Sequence, residues 1–250
     1  MGGSTANKSD YPFVIYMHNS GDNTICGGSI ISDTWILTAA HCIKSSSANQ
    51  ITVFIGQADY SLDPSKGTNV AEIHSHPQFN EQTMENDISL LKLGSPITSK
   101  NAGTISIDTS NVGDGVKVTA LGWGYTSGTG TTPSQQLKQG DLTTLSQAQC
   151  SQKDTKFTGN NGARICVAAD TGADTCPGDS GGPLIRKVNN SNVLVGITSF
   201  GTPGPGGQIT ANCGASGMVS LFTHANYFMS FIKSTAGDLR QIQASNTSDR

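Results

Sequence analysis

Gly178-Asp179-Ser180-Gly181-Gly182-Pro183 sets a single serine among glycines, which let the backbone come close to a substrate carbonyl. A serine hydroxyl is a weak nucleophile at neutral pH and needs a neighbouring base to take its proton. Thr38-Ala39-Ala40-His41-Cys42 offers an imidazole, whose ordinary pKa of about 6.5 suits it to accept and return a proton. Asn86-Asp87-Ile88-Ser89-Leu90-Leu91-Lys92-Leu93 places one carboxylate at the head of an apolar run, where a buried acid could fix the imidazole's tautomer. The chemistry these three types perform together is acyl transfer. Their chain order is His41, Asp87, Ser180, whereas subtilisin-like and α/β-hydrolase enzymes carry the same types in other orders.

The three segments together resemble the chymotrypsin and trypsin-like serine proteases, trypsin-like subgroup, over about Met1 to Lys233. The resemblance implies an all-β fold of two six-stranded antiparallel β-barrels followed by a C-terminal α-helix, and the intervals between the three residues suit two such barrels in tandem. It divides the chain into a peptidase domain over 1–233, with halves at roughly 1–110 and 111–225, and a polar tail over 234–250. It assigns catalysis to His41, Asp87 and Ser180, and the oxyanion hole to the backbone N–H groups of Gly178 and Ser180. Asp179 is expected to pair with the α-amine freed by proteolytic activation of a zymogen, the alternative being a local turn cap. Asp174, two residues before Cys176, falls where trypsin-like members hold the acid that recognises Arg or Lys. Ser199-Phe200-Gly201 resembles the segment that pairs with substrate backbone, while the stretch between Cys213 and Phe222 matches the family poorly. Met1-Gly2-Gly3 matches the family's mature start one residue short. A residue spans at most about 3.6 Å, so either one aliphatic residue precedes Met1 in the active form or activation is imperfect.

Six cysteines in a chain of this composition point to three disulfides and an oxidising compartment. Spacing alone does not choose among the pairings; the resemblance implies Cys26 with Cys42, Cys150 with Cys166 and Cys176 with Cys213. The competing zinc reading lacks a Cys-x2-Cys pair and a matching histidine pair, so no metal is expected. Calcium is not expected either, because Gln57 stands where calcium-binding members begin their acidic set. No cofactor is implied.

Only 13% of the 250 residues are charged and 30 are glycine, which favours short strands joined by turns. The net charge of −3 comes with no basic cluster, which argues against nucleic acid and anionic membrane as partners. There is no long apolar run and no leader-like N-terminus, so a processed, secreted, extracellular monomer is expected. Its partners would be polypeptide substrates and protein protease inhibitors. Short apolar runs read as strands at Phe13 to Met17, Ile51 to Ile55, Val116 to Leu121 and Val193 to Ile197. Asn19 to Asp22, Tyr125 to Pro133 and Gly201 to Gly207 read as loops. Tyr227, Phe228, Phe231 and Ile232 recur at helical spacing, which predicts one amphipathic helix packed on the second barrel. His18, His74, His76 and His224 sit in no comparable motif and read as surface or packing residues. Asn7-Lys8-Ser9, Asn189-Asn190-Ser191 and Asn246-Thr247-Ser248 are glycosylation acceptor sequences.

The function expected is a serine endopeptidase that cleaves after Arg or Lys through an acyl-enzyme. Two alternatives stay open. One keeps the chemistry with chymotrypsin- or elastase-like specificity; the other is a non-catalytic homologue that binds a partner.

Overall fold

The computed structural model describes residues 3–126, 132–168, 173–202, 213 and 217–237. A two-residue strand β1 (Ser4–Thr5) leads into six strands, β2 (Val14–Asn19), β3 (Thr24–Ile30), β4 (Trp35–Thr38), β5 (Ile51–Phe54), β6 (Gly67–Ser75) and β7 (Ser89–Leu93). These close into a barrel in the order β2-β3-β4-β7-β6-β5. Closure leaves no free strand edge. The strands are short and rich in β-branched and aromatic residues, and the turn between β2 and β3 bends at Asn23, which takes a left-handed φ of 59°.

The second half is built from β8 (Ser106–Ile107), β9 (Lys117–Gly122), β10 (Lys138–Thr143), β11 (Arg164–Ala168), β12 (Pro183–Val188), β13 (Ser191–Gly201) and β14 (Val219–His224). Their sheet runs β1-β10-β9-β12-β13-β14-β11, with β8 lying parallel beside β13. A single antiparallel bridge, Thr144 to Val167, brings its two sides together. The six long strands of this half are thus joined by β1 from the chain's start and by β8, two short pieces with no apolar pattern of their own. A single-turn helix α1 (Gln147–Cys150) follows β10.

The largest apolar cluster spans both halves, and two smaller ones lie within the second. Tyr16 of the first barrel stacks on Phe54 with ring centroids 4.9 Å apart and meets Trp123 of the second half at 5.0 Å. All three rings are buried, and aromatic groups of this size each remove on the order of 150–250 Å² from water.

The C-terminal helix α2 (Met229–Ala236) follows a 3₁₀ turn at Asn226–Phe228. Phe228 and Ile232 are buried, but Tyr227 is 57% exposed, because the 3₁₀ turn breaks the α-helical phase that the sequence spacing implied. The helix, expected on the second barrel, meets the first: Phe228 and Phe231 sit edge-on to His76, just past β6, at 5.4 and 4.9 Å. Among the described residues no helix is long and apolar enough to cross a membrane.

Candidate active site

Strand register brings the first two chemical groups together. Thr38 at the end of β4 pairs with Ser89 at the start of β7, so the chain leaving β4 at Ala40-His41 lies against the chain arriving at Asp87. His41 sits in a 3₁₀ turn, Ala40–Cys42. Its backbone N–H donates to Asp87 Oδ1 at 2.9 Å and its ring Nδ1 is 2.8 Å from Oδ2. Asp87 is fully buried, whereas the His41 side chain keeps 21% of its surface. A carboxylate only accepts hydrogen bonds, so Nδ1 carries the hydrogen and Nε2 is left as the ring's basic atom.

A third donor reaches the carboxylate from the other half. Ser199 lies on β13 where the pairing with β14 shifts between Thr198 and Phe200. Such a bulge re-aims a side chain, and here the Ser199 hydroxyl donates to Asp87 Oδ2 at 2.5 Å. Thr223 of β14 adds a bond from its hydroxyl to the Asp87 carbonyl at 2.8 Å.

Ser180 lies in the turn before β12. Its carbonyl accepts from the Gly27 N–H of β3 at 2.7 Å, and Gly181 N–H donates to the Thr198 carbonyl at 2.8 Å, so the turn is pinned to both halves. Gly181 has a φ of +79°, and a Cβ there would lie 2.2 Å from Thr38 Oγ1 and 3.2 Å from the Ala39 nitrogen. Only glycine therefore lets the serine turn close on the segment that carries His41. Gly178, with a φ of +94°, turns the backbone just ahead of the serine, and a Cβ there would press on Gly124 Cα at 3.1 Å. Between them Asp179 is fully buried and accepts from Gly124 N–H at 2.8 Å and Cys176 N–H at 2.9 Å. Burial raises its carboxyl above the usual range against the pull of those donors. The arrangement offers a partly exposed Ser180 hydroxyl, an imidazole oriented by Asp87 whose Nε2 has the Cys42 sulfur 3.8 Å away, and a glycine-shaped backbone. Among the described residues no hydrogen bond joins Ser180 Oγ to His41, so the groups suit acyl transfer once the hydroxyl turns to Nε2.

The trypsin family profile matches residues 1–232. Trypsin alpha of Drosophila melanogaster is 34% identical over 96% of this chain and 88% of its own length. The chain belongs to the trypsin family. Brachyurin of Leptuca pugilator is 35% identical over 86% of this chain and 89% of its own, and anionic trypsin of Canis lupus familiaris is 32% identical over 94% and 88%. As a trypsin-family member the protein is a serine endopeptidase, a hydrolase that acts on polypeptides.

The other residues that the sequence singles out for substrate lie in the second half. Asp174 is 4% exposed and accepts from Thr175 N–H at 2.7 Å and from the Ser220 hydroxyl of β14. Phe200 is partly buried beside Ser199, and a Cβ on Gly201 would lie 3.7 Å from the Met218 methyl. Pro177 takes no part as a donor, but its carbonyl accepts from Tyr125 N–H at 2.9 Å.

Three disulfides join Cys26 to Cys42, Cys150 to Cys166 and Cys176 to Cys213. The first closes a 16-residue separation beside His41, and cross-links of that span contribute roughly 3 kcal/mol by limiting the unfolded chain. Its sulfur lies 3.8 Å from His41 Nε2. Cys26, His41 and Cys42 form a compact group of metal-ligand types, yet both sulfurs are committed to each other and offer no thiolate. Gln57 turns its amide to the Ile55 carbonyl at 3.3 Å.

Several expectations fall outside the described residues: the Met1 amine proposed to meet Asp179, the loop from Pro203 to Gly207, most of the tail, and the Asn246 acceptor sequence. Sequence reasoning missed the Ser199 and Thr223 bonds to Asp87 and the Ser220 bond to Asp174. Each depends on strand register far from the motif, and no local signal marks it.

Proposed function

We propose that the protein cleaves polypeptides after Arg or Lys through an acyl-enzyme on Ser180. The observation that carries the chemistry is the hydrogen-bonded line from Ser199 through Asp87 to His41, with the Ser180 turn packed through Gly181 against Thr38 and Ala39 just ahead of His41. In this reading His41 Nε2 takes the Ser180 proton as the oxygen attacks the scissile carbonyl, and returns it to the leaving amine as the peptide bond breaks. Water then repeats the exchange in reverse and frees the acid. Asp87 holds the tautomer and balances the imidazolium. The N–H groups of Gly178 and Ser180 meet the oxyanion, a contribution worth about 3–4 kcal/mol where single donors have been removed elsewhere.

Specificity is assigned to Asp174, whose buried carboxylate would favour a cationic side chain entering between Ser199-Phe200-Gly201 and the opposite wall. The test is kcat/KM on matched peptides ending in Arg, Lys, Phe or Ala. The proposal expects the cationic pair to lead by about a hundredfold or more, an advantage lost in Asp174→Ser. Preference for Phe or Ala, unchanged in Asp174→Ser, would establish the chymotrypsin- or elastase-like alternative; no turnover of any peptide by processed protein would favour the binding homologue.

Three disulfides suit an oxidising compartment, so a secreted, extracellular monomer made as a zymogen is the fitting form, with Asp179 receiving the freed α-amine. Protein inhibitors that present a substrate-like loop are its expected regulators.

A further inference from the structure

Arg164, the first residue of β11, is 7% exposed, and its guanidinium serves three elements at once. One nitrogen pairs with the Asp154 carboxylate, itself buried, in the segment that follows α1. Another donates to the carbonyl of Thr83 in the first barrel. The guanidinium carbon lies 5.1 Å from the ring centroid of Phe200.

Two of these partners, Thr83 and Phe200, lie close in the chain to residues of the Asp87 site. Thr83 belongs to a turn closed by the Asn80 to Glu85 bridge, four positions ahead of Asp87. The turn holds two left-handed residues, Met84 at φ 52° and Asn86 at φ 58°, and the Asn86 side chain donates to the Gln78 carbonyl at 2.8 Å. Phe200 follows Ser199, the residue that donates to Asp87. The turn leads into Asp87 and the ring follows the residue that bonds Asp87, one from each half, and Arg164 contacts both. A second cation, Lys156, reaches the same turn more loosely, at 3.5 Å from Glu85 and half exposed.

We propose that Arg164 is a positioning residue for extended substrates: it clamps the 80–86 turn against the back of Phe200 and so sets the width of the cleft that receives residues on the acyl side of the scissile bond. A planar guanidinium is suited to this because its edges take the carboxylate and the carbonyl while its face takes the ring; an ammonium has one charged point and serves fewer partners. The proposal rests on the reading of Phe200 as a cleft wall. It does not depend on which side chain fills the primary pocket.

The experiment compares a single-residue amide with a tetrapeptide amide ending in the same residue, with enzyme concentration fixed by active-site titration. Arg164→Met should lower kcat/KM for the tetrapeptide about tenfold, chiefly through KM, and leave the single-residue amide within about twofold. Arg164→Lys should restore little of the loss. Because Arg164→Met leaves Asp154 buried without its cation, the Arg164→Met/Asp154→Asn pair is measured alongside and should show the same substrate-length signature. Equal losses on both substrates, or none on either, would overturn the proposal. Phe200→Ala separates the two readings. If it abolishes the tetrapeptide's advantage while Arg164→Met does not, the clamp is wrong and the wall stands. If it leaves the advantage intact, the wall reading fails and the clamp fails with it.

Discussion

The two halves contribute to the site in opposite ways. The first barrel closes on itself and carries His41 and Asp87 on adjacent chain ends, two groups bonded directly to each other. The second half, closed among the described residues by the Thr144 to Val167 bridge, carries Ser180, Asp174 and Phe200 on turns and strand ends. Bonds that cross the junction hold the Ser180 turn and tie this half to the first: Ser180 carbonyl to Gly27, Ser199 to Asp87, Thr223 to Asp87 and Arg164 to Thr83. Asp174 is held within its own half by Thr175 and Ser220. In the proposed reaction the acid and base are thus set by one barrel's own register, while the turn that carries the nucleophile is set in part by docking. Damage to the first should abolish chemistry, and damage to the junction should weaken it by degrees.

The strongest break is Asp87→Asn, which keeps the shape and puts an N–H donor where His41 and Ser199 require an acceptor. Turnover should fall by about 10⁴, the magnitude typical of this family, in burst and steady-state assays. Next comes Ser199→Ala, which cuts only the junction bond. Here kcat should fall by about ten- to a hundredfold, as expected for loss of a hydrogen bond to a charged group, with the fold intact by circular dichroism.

Two further changes address stability. Lys8 lies on the strap between β1 and β2, 8% exposed, with its ammonium on the Tyr11 carbonyl. Burial lowers its pKa from 10.5 to about 8. A lysine depressed in the folded state costs stability in full below the folded value, and the cost fades as pH rises from about 8 towards 10.5. Lys8→Met should therefore stabilise the protein at pH 7 by on the order of 1–2 kcal/mol in denaturant titrations, with less gain above pH 9. The smallest effect belongs to the second half. His224 is 3% exposed, bonds the Gly162 carbonyl through Nδ1, and leaves Nε2 without a partner among the described residues. Burial depresses its pKa, so its stabilising contribution is complete above about pH 6.5 and declines below it, by at most about 1.4 kcal/mol per pH unit. His224→Gln should flatten that part of the stability profile.

The same contrast explains what the sequence disclosed. His41, Asp87 and Ser180 each sit in a short local pattern, and the strands at Ile51, Val116 and Val193 announce themselves by runs of β-branched residues, so fold class and chemistry were readable from the chain. The sequence marks Ser199 as a substrate-pairing residue by resemblance, but its bond to Asp87 arises from a bulge that no run of residue types reveals. Ser220 and Arg164 look like ordinary strand positions until β11 and β14 are paired, Arg164 opposite Thr223. Tyr227 fits a helical stripe by spacing and stands in solvent, because a 3₁₀ turn advances the phase before α2 begins. Local patterns report single segments; contacts between distant strands, within a half or across the junction, depend on register, which spacing does not carry.

The central claim is that docking of the second half delivers Ser180 to the basic face of His41. Covalent labelling with an organophosphonate serine reagent, followed by peptide mapping, tests it most directly. The account predicts one label per active molecule, on the peptide containing Ser180, with labelling greatly slowed in Asp87→Asn. A label on any other serine, or full peptidase activity after Ser180→Ala, would contradict it.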